Sequence, residues 1–187
     1  MKEFEFDKVI KRLTQLKEQP FNEIIRIGSM LSLGFGDKIK SKAAYKTNDG
    51  AFEIKETQNS KYALHIDGLF RISLNDKILL TRDDMFKPSI AIQDGKFDEE
   101  TFEWDVKGNN KLDAEIMNIF DFAKQTLIVK DMQVNKFGDL SITLSNGCNI
   151  DVFIDTNEDE ECWRFFEVGN SEKPHIIITG YGYCEEC

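Results

Sequence analysis

Four cysteines, Cys148, Cys162, Cys184 and Cys187, lie in the last forty residues, and the final pair forms a C-x-x-C in Cys184-Glu185-Glu186-Cys187. That spacing lets two thiolates reach one zinc ion, and a full tetrahedral site would take its other ligands from Cys148, Cys162 and His175. Two glutamates between the thiols make either thiolate harder to form, and a motif at a chain end is prone to fraying. The simpler reading is therefore exposed thiols at Cys184 and Cys187 and half-buried strand cysteines at Cys148 and Cys162, with zinc binding as the alternative. Upstream, Asp155, Asn157 and Asp159 take the first three ligand spacings of a calcium loop. The match then fails, because Glu160 stands where that loop needs glycine and Phe166 where it needs a bidentate glutamate. What remains is an acidic loop: Asp155, Glu158, Asp159, Glu160 and Glu161 with no lysine or arginine among them. Like charges so close together favour the approach of a cation or a basic partner.

Catalytic chemistry has little to draw on. His65 and His175 are the only histidines, and each falls in a strand pattern. Neither a G-x-S-x-G nor an H-E-x-x-H is present, and Gly34-Phe35-Gly36 lacks the spacing and following helix of a phosphate loop. No catalytic residue is assigned, and the chain reads as non-enzymatic.

These residues must be positioned by the stretch from Gly138 to Phe166. Leu140, Ile142 and Leu144 alternate with polar residues before Ser145-Asn146-Gly147, and Cys148, Ile150 and Val152 alternate after it. A two-residue loop would oppose apolar and polar side chains. A three-residue loop pairs 144 with 148, 142 with 150 and 140 with 152, which gathers every apolar side chain on one face, with Gly147 as the left-handed residue. The acidic loop follows, and Cys162-Trp163-Arg164-Phe165-Phe166 reads as the next strand. Trp163 and Arg164 are its candidate partner-binding residues, one an aromatic anchor and the other a charge; the alternative is structural, with Trp163 buried at the sheet edge and Arg164 held by an acidic neighbour.

Along the rest of the chain, Phe6, Val9, Ile10, Leu13 and Leu16 mark one stripe of an amphipathic helix that ends before Pro20. Ile25, Ile27, Leu31, Leu33 and Phe35 predict a single glycine-rich strand. Residues 41–59 predict an exposed hairpin turning at Asn48-Asp49-Gly50. Tyr62, Leu64 and Ile66 and then Phe70, Ile72 and Leu74 predict strands on either side of Asp67-Gly68, with a further strand over 75–80. Residues 81–110 form a long connection with either a short strand at Ser89–Gln93 or a binding loop. A second helix is expected over 111–124, capped by Asn110. Leu127 and Val129 lie on one face of a strand and Met132 and Val134 on the other, so a bulge is expected near Lys130-Asp131. A closing strand spans His175–Thr179 and is broken by Gly180-Tyr181-Gly182-Tyr183. Two helices and about eight strands, the strands in runs, make a single α+β domain over residues 1–187 that is mainly antiparallel sheet.

A net charge of −10, from 24 basic and 34 acidic residues, leaves no basic stripe for phosphates. Nucleic acid and anionic membranes are therefore poor partners. No window approaches the ~20 apolar residues of a membrane span, and there is no signal-peptide core, so a cytoplasmic location is expected, with reduced thiols.

The run GDLSITLSNGCNIDVF, followed by ECWRFF and HIIITG, resembles the C-terminal part of a family of small bacterial cytoplasmic proteins. That family's pattern is G-D-L, alternating strand, S-N-G, alternating strand, then E-x-W-R or E-S-W and a closing β-branched strand. LHIDGLFRI is similar to its W-R-containing strand, with Phe70 in place of tryptophan, and Cys162 replaces the usual serine. Such proteins look like immunity or accessory proteins encoded near polymorphic bacterial toxins. The resemblance thus implies a binding protein that neutralises a bacterial toxin, with Trp163 and Arg164 as recurrent positions and no catalytic residue; the acidic loop points to a basic partner. The alternative is a metal- or ligand-binding domain built on the cysteines.

Overall fold

The alternation from Leu140 to Val152 produces the hairpin the sequence predicts. A computed structural model describes residues 6–46, 50–94 and 97–186. In it β7 (Leu140–Leu144) and β8 (Asn149–Phe153) pair with Ile142 opposite Ile150 and Leu140 opposite Val152. The loop holds three residues: the Leu144 N–H donates to Cys148 O at 2.8 Å, the Gly147 N–H donates to Leu144 O at 2.9 Å, and Gly147 has φ +82°. Leu140, Ile142, Leu144, Cys148, Ile150 and Val152 are all buried, as the pattern requires.

Eleven strands lie among the described residues, and they form one antiparallel sheet. The others are β1 (Pro20–Ile27), β2 (Met30–Lys46), β3 (Phe52–Ile66), β4 (Leu69–Leu74), β5 (Lys77–Thr81), β6 (Leu127–Val134), β9 (Glu161–Glu167), β10 (His175–Thr179) and β11 (Gly182–Glu186). Their order is β11-β10-β9-β3-β2-β1-β6-β7-β8-β4-β5. β3 and β4 are one strand bent at Asp67-Gly68, whose two N–H groups both donate to Cys162 O at 2.9 Å. β3 pairs with β9 and β4 with β8, so β8 and β9 continue one another in the same way, apart from the acidic loop between them. Because the two halves of the bent strand sit at different places in the order, the sheet rolls round and closes on itself. Leu33, Phe35, Leu64, Ile66, Ile142, Ile150, Trp163 and Phe165 all join the same buried cluster inside the roll.

Helix α1 (Phe6–Leu13), extended by a 3-10 turn over Thr14–Leu16, adds Val9, Leu13 and Leu16 to that cluster, while Ile10 stays outside it. Below it, α2 (Ile90–Gln93) and α3 (Lys111–Ile119) belong to the 81–119 segment. Two ionic clasps hold that segment. Asp84 accepts from the Thr81 N–H at 2.9 Å and from Lys111 Nζ at 3.0 Å. Asp113 accepts from Arg26 Nε at 3.0 Å and Nη2 at 2.7 Å, while Arg26 also lies 5.7 Å from the Trp104 ring centroid. Both carboxyls are held below the ordinary value of 3.8 by these hydrogen bonds and cations, which outweigh burial acting the other way. Asn110 caps α3 as expected, accepting from the Asp113 N–H at 2.8 Å.

Several expectations are corrected. The glycine-rich strand at 25–35 is two strands, β1 and β2, joined by a tight turn at Gly28-Ser29. A bulge at Asn22 puts Phe21 and Ile24 on the core face and leaves Ile25 and Ile27 exposed. Ser89–Gln93 is not a strand but leads into the single helical turn α2. α3 stops at Ile119, five residues short of the expected end, because Phe120 leaves helical geometry to enter the core. The chain after Gly180 does not fray; it returns as β11, a strand that brings the total above the expected eight. The bulge near Lys130 is present between Val129 and Asp131. Asn48 and Asp49, the expected turn of the 41–59 hairpin, lie outside the described residues, as does Cys187. Among the described residues no helix is long and apolar enough to cross a membrane.

Candidate functional site

Antiparallel register decides which side chains share the outer face of the roll. Ile25 lies opposite Ser32, Ser32 opposite His65, and His65 opposite Arg164. Gly34 lies opposite Ala63, and Ala63 opposite Phe166. His175, on the next strand, completes the row. The result is a trough made of two adjoining hollows of about 250 and 290 Å³ that share His65 and Phe166. The first is floored by Ile25, Ile27, Gly34 and Ala63, and the second is walled by Asp67, Glu161, Arg164 and His175.

The aromatic and charged groups in the trough are locked together. Phe166 stacks on His175 with centroids 4.4 Å apart and meets His65 edge-on at 4.9 Å. Arg164 forms a bidentate pair with Glu161, with Nε donating to Oε1 at 2.6 Å and Nη2 to the other oxygen. Arg164 Nη1 lies 3.3 Å from His175 Nδ1. A guanidinium has no acceptor, so in this contact Nδ1 accepts and a neutral ring carries its proton on Nε2. Burial, followed by the Arg164 charge, pulls His65 below its ordinary value of 6.5, so it is neutral at pH 7. Chemically, the trough offers a neutral imidazole, a guanidinium already paired, and apolar floor. No described hydrogen bond joins His65 to a hydroxyl, thiol or carboxylate.

The acidic loop sits at the end of this trough, where Glu161 begins β9. Asp155, Glu158, Asp159 and Glu160 are exposed, and none forms an ion pair with lysine or arginine among the described residues. Glu161 differs from them, since Arg164 neutralises it. The loop backbone rests on the β10–β11 turn: a Cβ placed on Gly180 would lie 2.5 Å from Thr156 O and 2.6 Å from Glu158 O. At its start the Ile154 N–H donates to Asp139 Oδ1 at 2.8 Å. Thr156 Oγ1 accepts from the Glu158 N–H at 3.1 Å, which tightens the turn. The negative groups are therefore displayed from a seated backbone.

Trp163 does not take the expected surface role. It is fully buried on the core side of β9, and its Nε1–H donates to Gly138 O at 3.0 Å. Register explains this: Arg164 and Phe166 face outward, so Trp163 and Phe165 must face inward. Phe166 is the aromatic that the outer face offers instead.

The three described cysteines do not converge. Cys148 lies at the hairpin end of β8 and Cys162 beyond its far end, on a ladder whose 3.3 Å rise per residue separates them by roughly 20 Å. Burial pushes the Cys148 thiol up to about 11 and raises Cys162 as well. Cys184 is exposed on β11 opposite Ile177. No group of three or more cysteine, histidine or acidic side chains among the described residues could hold a metal ion, and that includes Asp155, Asn157 and Asp159 with their neighbours.

The sequence placed both histidines in strands but held no sign that they flank one phenylalanine. Comparison with family models, with curated proteins and with solved structures finds no match to this chain.

Proposed function

We propose that this protein is a non-catalytic interaction protein that captures a basic protein partner at the acidic loop, in the manner the resemblance to toxin-neutralising immunity proteins implies. One observation carries the reading. Asp155, Glu158, Asp159 and Glu160 project, without cationic partners among the described residues, from a backbone seated on Gly180. Clustered carboxylates repel one another and together present a concentrated negative potential to an approaching cationic surface. A negative edge of this kind raises association rates by 10–10³ at low ionic strength, and the gain fades once the Debye length falls to about 8 Å at physiological salt. The adjoining trough, with Phe166 and Arg164 at its wall, supplies the aromatic and guanidinium groups that hold complexes once formed. The cytoplasm is the compartment that suits its buried free thiols. A metal-binding domain built on Cys184 and Cys187 is the competing reading, and no described geometry favours it.

The test is to co-purify the protein with the products of its neighbouring genes and measure association in low and high salt. Asp155, Glu158, Asp159 and Glu160 are then changed to serine together, and Glu161 is left to hold Arg164. The expected result is an on-rate at low salt at least about tenfold lower, with little difference at high salt. An unchanged on-rate would show that the loop is only a solvated turn.

A further inference from the structure

Residues 38–46 of β2 and 52–60 of β3 pair with each other and, among the described residues, with no other strand, because β1 meets β2 only at residues 30–35 and β9 meets β3 only at residues 62–66. They form a two-stranded ribbon that leaves the roll at the bulge between Phe35 and Lys38. Such a ribbon is marginal in water without a covering surface. Its own links are polar: Ser41 Oγ and Thr57 Oγ1 are 3.0 Å apart, and Asn59 Nδ2 donates to Ser41 Oγ at 2.6 Å. Phe52 and Ile54, two residues apart and so on one face, are 74% and 70% exposed. The trough floor is uncovered too, with Ile25 43% and Ile27 50% exposed.

Within one copy, then, neither apolar surface covers the other. Charge points the same way. Residues 38–46 and 52–60 carry five lysines (Lys38, Lys40, Lys42, Lys46 and Lys55) against Glu53 and Glu56, on a chain of net charge −10. The trough lining carries Glu23, Asp67 and Glu161 against Arg164, with Lys38 already paired to Glu23 and Arg164 to Glu161, so Asp67 is the carboxylate left for a second copy. A basic, apolar-faced ribbon and an acidic-edged, apolar-floored trough are complementary. We propose that two copies of this chain associate reciprocally, with the ribbon of each lying along the trough of the other. A two-fold axis satisfies both contacts at once. One ribbon face measures about 30 Å by 10 Å, from nine residues at 3.3 Å and two strands. Covering it from both sides at both contacts buries roughly 1,200 Å² in total, the low end for specific association, so the dimer is expected to be micromolar. The loop carboxylates at 155–160 take no part, so the serine variant of the loop tests partner capture and the ribbon variant tests this association; a partner held in the trough and a second copy would compete for it.

Sedimentation velocity on the full chain tests it. Mass should rise from 21.6 kDa toward twice that value between about 1 and 200 µM protein, and the rise should shrink in high salt. Phe52→Ser with Ile54→Ser should keep the protein at monomer mass, as should Ile25→Ser with Ile27→Ser, with thermal midpoints close to the parent because all four side chains are exposed. Mixing the two variants should restore a weaker heterodimer at the highest concentrations, since one of its two contacts, the trough of the first with the ribbon of the second, is intact. A mass fixed at 21.6 kDa throughout would overturn the proposal. So would a dimer that survives both pairs of substitutions, or a ribbon that binds a labelled oligonucleotide while the mass stays monomeric.

Discussion

Changing Gly180 to alanine would test whether the acidic loop is seated on the β10–β11 turn. The added methyl group would lie 2.5 Å from Thr156 O, 2.6 Å from Glu158 O and 2.9 Å from Glu158 N, all backbone atoms that cannot swing aside as a side-chain tip can. Reaching an ordinary contact of 3.4 Å requires a retreat of 3.4 − 2.5 = 0.9 Å by the loop or the turn. A forced shift of that size costs about 1–3 kcal/mol. For a chain of this length it lowers the thermal midpoint by roughly 2–12 °C. Urea denaturation read by tryptophan fluorescence measures the loss, and amide exchange over residues 156–160 should accelerate. The substitution leaves every carboxylate in place. Its effect on partner binding should thus appear as faster dissociation, with the low-salt on-rate nearly unchanged, the reverse of the serine variant. A cost under about 0.5 kcal/mol with unaltered exchange would refute the seating, and with it the idea of a displayed loop.

Asp113→Ala should cost about 3–5 kcal/mol, because it strands Arg26, whose side chain is 6% exposed, without its carboxylate. Changing the pair together to Arg26→Met with Asp113→Leu should recover most of that loss in the same denaturation assay. Stability should also fall in two steps as pH drops. Below 6.5 the unfolded chain takes up a proton at His65 before the folded chain does, so stability declines first there, and His65→Phe should abolish the step. A second fall begins near 3.8, where the unfolded forms of Asp84 and Asp113 protonate, and continues through their lower folded values. Finally, Cys184 should react with a thiol reagent in the native protein, whereas Cys148 and Cys162 should wait for unfolding, as peptide mass mapping would show.

The parts of the fold that could be read from the sequence are those where burial enforces a period of two. Leu140 to Val152 is one-sided, so its register, its loop length and the role of Gly147 follow directly. Strands 38–46 and 52–60 have no buried apolar face among the described residues, since even Phe52 and Ile54 stay exposed, so no burial period marks their length. The turn at Gly28-Ser29 falls between two stretches of similar alternation, so β1 and β2 read as one strand, and the bulge at Asn22 reversed the faces of Ile25 and Ile27. The acidic loop was visible as composition, but its seat on Gly180 is a contact between segments more than twenty residues apart. The trough was hidden for the same reason: Ile25, His65, Phe166 and His175 meet only through the register of several strands. Trp163 was misplaced because an aromatic beside an arginine resembles a binding pair, and only the sheet shows which of the two points inward.

The closure of the roll also constrains how the chain folds. β1 meets β6 through Pro20 and Ile128, a separation of 108 residues, and β3 meets β9 through Ile66 and Trp163, a separation of 97. Pairings this distant must lose loop entropy before they gain any contact, which places such topologies on a millisecond-to-second timescale. The local β7–β8 hairpin can form within roughly 1–10 µs. Refolding should thus show early strand signal from the hairpin and late burial of Trp163, whose environment is completed only when β9 docks and Gly138 accepts its indole proton. Until β9 arrives, β3 keeps an unpaired edge, so a chain halted before residue 161 would carry an open template for aggregation.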